Sequence, residues 1–250
     1  MEKYEFYGES FLSYPVFLNI KDLPCLVVGG GRVGLRKTLG LVDAGARVRV
    51  IEPRPSENLL EMEKNGQVQI KAAEFVPEDL GGMRLVFAAT QKAEVNALVA
   101  QEAGKLGIWC NIADDPSGSD FFLPALVKRG DLMLAISTGG KSPALARKLR
   151  MDLEKIFDAA YLPFLELMGR LREILLAEGH DPEGHRDLFR SLVEGPLLEY
   201  IRMEDMETVA LLLEPIAGAD AMALAVSVIK EHPARKSPEK GECFPEKEGS

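Results

Sequence analysis

Residues 25–40 read CLVVGGGRVGLRKTLG. Four apolar residues, Cys25 to Val28, run straight into a glycine-rich turn; Leu35, Leu39 and Val42 then recur at helical spacing until Gly45 stops them. Gly29, Gly31 and Gly34 thus form G-x-G-x-x-G between a strand and a helix. The spacing serves three ends: a tight turn, close approach of the backbone to a pyrophosphate, and tight helix–strand packing. The helix N-terminus adds partial positive charge and free N–H donors for phosphate. The following strand, ARVRVIEP, ends at Glu52, placed to hydrogen-bond an adenosine ribose and so to favour NAD over NADP. Two readings compete: glycines that only make a turn with Glu52 as a solvated strand end, or Arg54 receiving a 2′-phosphate.

Outward from this turn, strand-like and helical runs alternate. SENLLEMEKNG reads as a helix capped by Ser56, VQI, LVFAAT and IWCNI as strands, and EVNALVAQEAGKLG as the helix between the last two. Alternation of this kind predicts an α/β domain, a Rossmann-type parallel sheet with helices on both faces. After Asp115 the pattern changes. FFLPALVKRGDLMLAIST reads as a β-hairpin turning near Arg129 to Asp131. A helix follows, with Ser142 as cap, Pro143 at its first position, and Leu145, Leu149, Leu153 and Ile156 on one stripe. From about Tyr161 to Glu231 the pattern is helical, broken at Gly179, Gly184, EGP and EPIAG; the last stretch is proline-rich and charged, as a disordered tail would be.

Composition is that of a folded chain: 250 residues, 46% hydrophobic and 28% charged. A net charge of −9 argues against a nucleic-acid binder held by an overall basic surface. The N-terminus lacks the pattern of a secretory signal, and no uninterrupted apolar run approaches the ~18 residues of a membrane helix. A cytoplasmic protein with no membrane segment is the expectation. Cys25 and Cys110 fall in strands and read as core residues, and no C-x-x-C pair joins them or Cys243. His180 and His185 sit among Pro182 and Gly184, a poor frame for a metal, so no metal site is expected.

The turn at 29–34, the AAT ending of the fourth strand, NIADDP at 111–116, the hairpin, and STGGKSPALARKLR at 137–150 occur in one order. Together they resemble the siroheme synthase N-terminal family of precorrin-2 dehydrogenases and sirohydrochlorin ferrochelatases. The resemblance implies a fold of three parts: an NAD-binding Rossmann domain over 1–117, a hairpin-and-helix dimerisation segment over 118–158, and an all-helical domain over 159–231. Residues 232–250 are left as the tail. It also implies a homodimer, tetrapyrrole substrates (precorrin-2 and sirohydrochlorin), and NAD-dependent oxidation of precorrin-2 to sirohydrochlorin. Fe²⁺ enters as a substrate in members that also make siroheme. The methyltransferase domain fused to some members has no counterpart in these residues, so precorrin-2 is expected from another protein. Dehydrogenase activity alone, or an NAD-sensing binding module, are the alternatives.

The candidate cofactor-binding residues are Gly29, Gly30, Gly31, Arg32, Val33 and Gly34, with Glu52 and Thr90. Gly34 stands where the family often has alanine, a difference the turn is expected to tolerate. The family's essential aspartate matches Asp114, a proton acceptor for the oxidation and for the pyrrole protons released on metal insertion. Asp115, followed by Pro116, reads as a turn former. The substrate carries eight carboxylates. Residues 121–157 hold seven basic side chains against three acidic ones, and Ser137, Thr138 and Lys141 precede a helix N-terminus, so these three are the substrate-binding candidates.

Overall fold

The computed structural model describes residues 13–177 and 186–233. His180 and His185, and nearly all of the expected tail, lie outside the described residues. The chain divides between Leu123 and Pro124 into two compact units.

In the first unit five parallel strands form one sheet: β1 (Pro24–Val28), β2 (Arg47–Ile51), β3 (Val68–Lys71), β4 (Leu85–Ala88) and β5 (Trp109–Ile112). Their order is β3-β2-β1-β4-β5, with Val27 opposite Val50 on one side and Phe87 on the other. Strand residues alternate between two buried faces, which is why β1 is apolar throughout. Cys25 and Val27 pack with Val48, Val50, Leu59 and Phe87 on one face. Leu26 and Val28 pack with Val86, Val99 and Cys110 on the other. Leu26 and Val27 are fully buried, each contributing about 1.5–3 kcal/mol relative to exposure. Helices α1 (Arg32–Asp43), α2 (Glu57–Lys64) and α3 (Ala93–Lys105) make the crossovers. Between β3 and β4 the chain forms only a 3-10 turn, Pro77–Leu80, in a stretch the sequence reading left without structure.

The thiols of Cys25 and Cys110 are free and buried, and desolvation pushes both up to about 11. They are core residues, as their strand positions suggest. Beyond β5 the chain turns back along the strand. Ser119 Oγ accepts from Ile112 N (2.9 Å), Asp120 Oδ2 accepts from Cys110 N (2.8 Å), and Asn111 Nδ2 donates to the Phe121 carbonyl (2.8 Å). These bonds tie residues 119–121 to the sheet, so the first unit runs past residue 117.

The second unit begins with an antiparallel hairpin, β6 (Ala125–Arg129) and β7 (Leu132–Ile136), turning at Gly130 in the left-handed region (φ 59°). Helix α4 (Pro143–Ile156) follows, with Ser142 Oγ accepting from Leu145 N at 3.2 Å as its cap. No residue of α4 is buried, and Leu145, Leu149 and Ile156 of its apolar stripe are exposed. Five more helices are described: α5 (Tyr161–Ala177), α6 (Arg186–Glu194), α7 (Leu197–Met203), α8 (Met206–Ala217) and α9 (Ala221–Glu231). Leu167, Leu171, Leu197, Leu213 and Ala225 join them in one core. Arg170 links α5 to α9 through Ser227 (2.6 Å) and Glu231 (2.7 Å).

Met206–Glu231 is apolar and long enough by composition to cross a membrane, a run the sequence reading passed over. Gly218 breaks it (φ 51°, ψ −129°), and the halves α8 and α9 pack against each other. At 12 and 11 residues, each half is shorter than the ~20 residues a span requires.

Candidate active site

The glycine turn lies at the carboxyl end of β1, where the sheet order reverses between β1 and β4. Ligands of open α/β sheets bind in the crevice at such a switch point. Gly29 has φ 105°, and a Cβ there would fall 2.5 Å from the Ala89 carbonyl oxygen; the loops after β1 and β4 meet at this point. A methyl on Gly34 would overlap the Gly29 carbonyl oxygen, so α1 starts hard against the strand. Gly31 is the opposite case, since nothing lies within 4 Å of where its Cβ would be.

Helix α1 begins at Arg32, one turn earlier than its apolar stripe suggests. Gly31 is its N-cap, no side chain caps it, and its first turn holds no acid. The N–H groups of Arg32, Val33 and Gly34 thus form the unfilled end of the helix, which favours an anion. Glu52 closes the neighbouring side. Its carboxylate accepts from Gly30 N at 2.6 Å and from Arg54 N at 3.0 Å, fixing both the turn and the end of β2. Open space at Gly31, a bare helix end and an anchored acid beside them fit a dinucleotide: pyrophosphate over 31–34, ribose at Glu52.

Thr90, the candidate at the end of β4, is tied to the chain beyond it. Its Oγ1 bonds Asn96 Oδ1 (2.7 Å) and the Lys92 carbonyl (3.0 Å), while Asn96 Nδ2 donates to the Thr90 carbonyl (3.1 Å). Thr90 and buried Asn96 lock the loop after β4 onto α3, forming a wall of the crevice. The sequence reading missed Asn96. Its signal is a polar residue on a helix stripe otherwise made of Val99 and Ala103.

Asp114 and Asp115 part company. Asp115 Oδ1 accepts from Ser117 Oγ (2.7 Å) and Gly118 N (3.1 Å), and the Ser117 hydroxyl holds its carboxyl below the usual carboxylate range. That is a turn former. Asp114 is exposed in the left-handed region (φ 62°), and its carboxylate receives no hydrogen bond from the described residues. Aspartate tolerates this conformation better than most residues, but it costs energy that a plain turn need not bear. The turn is joined to the sheet by Ala113 N, which donates to the Ala88 carbonyl at 2.8 Å, so the free carboxylate stands at the end of the strand beside β4. No cluster of three or more His, Cys, Asp or Glu side chains suited to a metal occurs among the described residues.

The substrate candidates lie in the second unit. Thr138 Oγ1 donates to the Ser142 carbonyl and accepts from Ser142 N, both at 3.1 Å, so its hydroxyl shapes the turn before α4. Ser137 is exposed and its Oγ accepts from Gly139 N; Lys141 is exposed. Along α4, Lys148 pairs with Asp152 and Arg150 with Glu154, so part of the local positive charge is already matched.

The sheet order, the glycine turn at the switch point and the acid ending β2 define a dinucleotide-binding domain of Rossmann type. Residues 16–125 match the family described as "Putative NAD(P)-binding", and residues 129–156 match "Sirohaem biosynthesis protein central". These two segments, in this order, make the chain similar to siroheme synthase proteins. It is 40% identical over 212 residues to a siroheme synthase of Methylococcus capsulatus, covering 84% of this chain and 44% of that protein. It is 44% identical over 159 residues to siroheme synthase 3 of Aeromonas hydrophila, covering 64% and 34%. The chain therefore spans less than half the length of the curated relatives it matches. Among solved structures it resembles "SirC, precorrin-2 dehydrogenase", with a TM-score of 0.66 and 25% identity, over 88% of this chain and all of that one.

Proposed function

We propose that this protein oxidises precorrin-2 to sirohydrochlorin with NAD as the cofactor. The observation that carries the reading is the unbonded carboxylate of Asp114 at the end of β5, in the same unit as a nucleotide turn that fits NAD. Gly29–Gly34 and Glu52 would hold NAD, which would supply the hydride acceptor. The oxidised macrocycle is then cationic and must lose a proton. Asp114 takes that proton, becoming a neutral acid that returns it to water. The walls at Ala89–Thr90 and Gly29 are held by backbone contacts and the Asn96 lock, so the reacting groups meet a fixed surface.

Iron insertion uses the same carboxylate, since two pyrrole protons must leave as Fe²⁺ enters. The siroheme synthase relatives support this second step, while the full-length likeness to a precorrin-2 dehydrogenase favours oxidation alone. The exposed stripe of Leu145, Leu149 and Ile156, with Leu126 and Met133 on the hairpin, supports a homodimer formed through α4 and β6–β7. Lys141 and Ser137 are the groups offered to substrate carboxylates in the second unit.

One experiment tests the reading. Purified protein is mixed with precorrin-2 and NAD, sirohydrochlorin absorbance is followed, and Fe²⁺ is then added. Wild type should oxidise, while Asp114→Ala should lose at least about a hundredfold in kcat with NAD affinity unchanged. Absence of oxidation by wild type leaves an NAD-binding module; oxidation without accelerated iron uptake leaves a dehydrogenase alone.

A further inference from the structure

Glu52, the acid offered to the ribose, is held through its backbone as well as through its side chain. Its amide donates to the Lys71 carbonyl at 3.2 Å, one step beyond the pairing of Ile51 with Lys71 that ends the β2–β3 ladder. Strand β3 is a border of the sheet and Lys71 is its final residue, a place where a four-residue strand frays unless something holds it. The Lys71 ammonium bonds both carboxylate oxygens of Asp79, at 2.7 and 2.8 Å, and Asp79 Oδ2 also accepts from Val76 N at 3.0 Å. Asp79 is only 8% exposed, so its charge is out of water and depends on these donors. An exposed ion pair would contribute little; this one closes residues 71–79 into a loop of fixed shape at the end of β3.

On its other side Glu52 Oε2 takes the Gly30 amide at 2.6 Å, and a Cβ on Gly30 would fall 2.7 Å from Glu52 Cγ. Asp79, Lys71, Glu52 and Gly30 are thus joined by a hydrogen bond at every step, from a buried carboxylate on the 3-10 turn to the glycine turn. We propose that Lys71 and Asp79 are positioning residues for the dinucleotide. Their ion pair holds the end of β3, the Lys71 carbonyl then fixes the backbone of Glu52, and the Glu52 carboxylate is kept where it meets the adenosine ribose. Neither Lys71 nor Asp79 touches the cofactor. The inference rests on the reading of Glu52 as the ribose acid, but the relay of bonds does not. Its consequence is selectivity. A carboxylate set at the ribose accepts from a free 2′-hydroxyl and repels a 2′-phosphate, so loosening it should weaken NAD more than NADP.

The test has two arms on the full chain. In the first, hydrogen exchange at the Gly30 and Glu52 amides is followed by NMR, with the amide of buried Val27 in β1 as the internal reference. Asp79→Asn and Lys71→Met should speed exchange at Gly30 and Glu52 by about tenfold relative to Val27. Lys71→Arg, whose guanidinium can take both carboxylate oxygens, should stay near wild type. Asp79→Asn is isosteric and keeps the bond from Val76, so it should fold even where Lys71→Met, which strands a buried carboxylate, does not. Unchanged exchange at both amides in Asp79→Asn would overturn the relay, whatever the protein binds. In the second arm, Kd values for NAD and NADP are read by calorimetry with and without Asp79→Asn, in the natural sequence and in a Glu52→Ala background. Asp79→Asn should weaken NAD by about tenfold in the natural sequence, weaken NADP less, and change NAD by less than about twofold once Glu52 is gone. An equal effect in both backgrounds would overturn the positioning role, since general loosening of the fold does not pass through Glu52. A wild type with no affinity for NAD would instead sink the cofactor reading, and the role with it.

Discussion

Replacing Gly31 by alanine separates folding from cofactor binding more cleanly than any other change in the turn. Its backbone (φ −67°, ψ −175°) suits any residue, and no atom lies within 4 Å of the new methyl. Loss of glycine entropy in the unfolded chain stabilises by about 0.4–1 kcal/mol, while alanine is a poorer N-cap by a comparable amount. The net change in stability should fall within about 1 kcal/mol, a melting shift of no more than ~8 °C. The methyl does, however, fill the space where a pyrophosphate must meet the helix end. Two lost charge-assisted hydrogen bonds at about 1.5–3 kcal/mol each weaken NAD by about a hundredfold to ten-thousandfold. Gly29→Ala is the control. At φ 105°, with the Ala89 oxygen 2.5 Å from its Cβ, it should lower the melting temperature first. Isothermal titration with NAD and a thermal melt on each variant make the comparison. An NAD Kd for Gly31→Ala within about threefold of wild type would refute the placement of the pyrophosphate.

Other outcomes follow from the same geometry. Glu52→Gln should weaken NAD by about tenfold and narrow the preference for NAD over NADP; an unchanged ratio of the two Kd values would remove Glu52 from the ribose site. Asp115 has a lowered folded-state value, so its bonds to Ser117 and Gly118 add stability above its unfolded value of about 3.9, lost as pH falls through the folded value. The stability gap between wild type and Asp115→Ala, read by chemical denaturation, should accordingly narrow in acid; a gap constant with pH would contradict the turn role. In a Cys243→Ser background, the buried thiols of Cys25 and Cys110 should react with a thiol reagent only on unfolding, and rapid labelling of the native protein would count against their burial. In the proposed homodimer, Leu149→Asp should leave a monomer by light scattering, and a dimer that persists would move the interface off α4.

The first unit was legible where local and global patterns agree. β1, the glycine turn and the alternation after it carry strand period, turn residues and helix period in one reading, and the parallel sheet follows. What stayed hidden depends on three-dimensional neighbours. The start of α1 at Arg32 is set by a glycine cap rather than an apolar stripe. The bond from Thr90 to Asn96 is a contact six residues apart that crosses from loop to helix. Lys37 reads as an ordinary surface cation until its amine is seen above Phe87, fifty residues away. In the second unit the breaks at EGP and after Pro215 were visible. The break between α7 and α8 rests on Glu204 in the left-handed region and on Asp205 capping Thr208 at 3.1 Å, a weaker signal in sequence. Asp114 and Asp115 are adjacent identical letters, and only φ and hydrogen-bond partners distinguish them.

The carboxylates and hydroxyls at the margins of the sheet have one more effect. Along the outer side of β5 the amides of Cys110 and Ile112 are taken by Asp120 and Ser119, and on the far margin Glu63 Oε1 accepts from Ile70 N of β3 at 2.8 Å. Donors that would otherwise template another strand are occupied at both borders. A neighbouring chain cannot lengthen this sheet without first displacing a side chain from the chain's own backbone. Two copies are thereby steered away from joining sheet to sheet, leaving association to surfaces whose geometry is set by side chains.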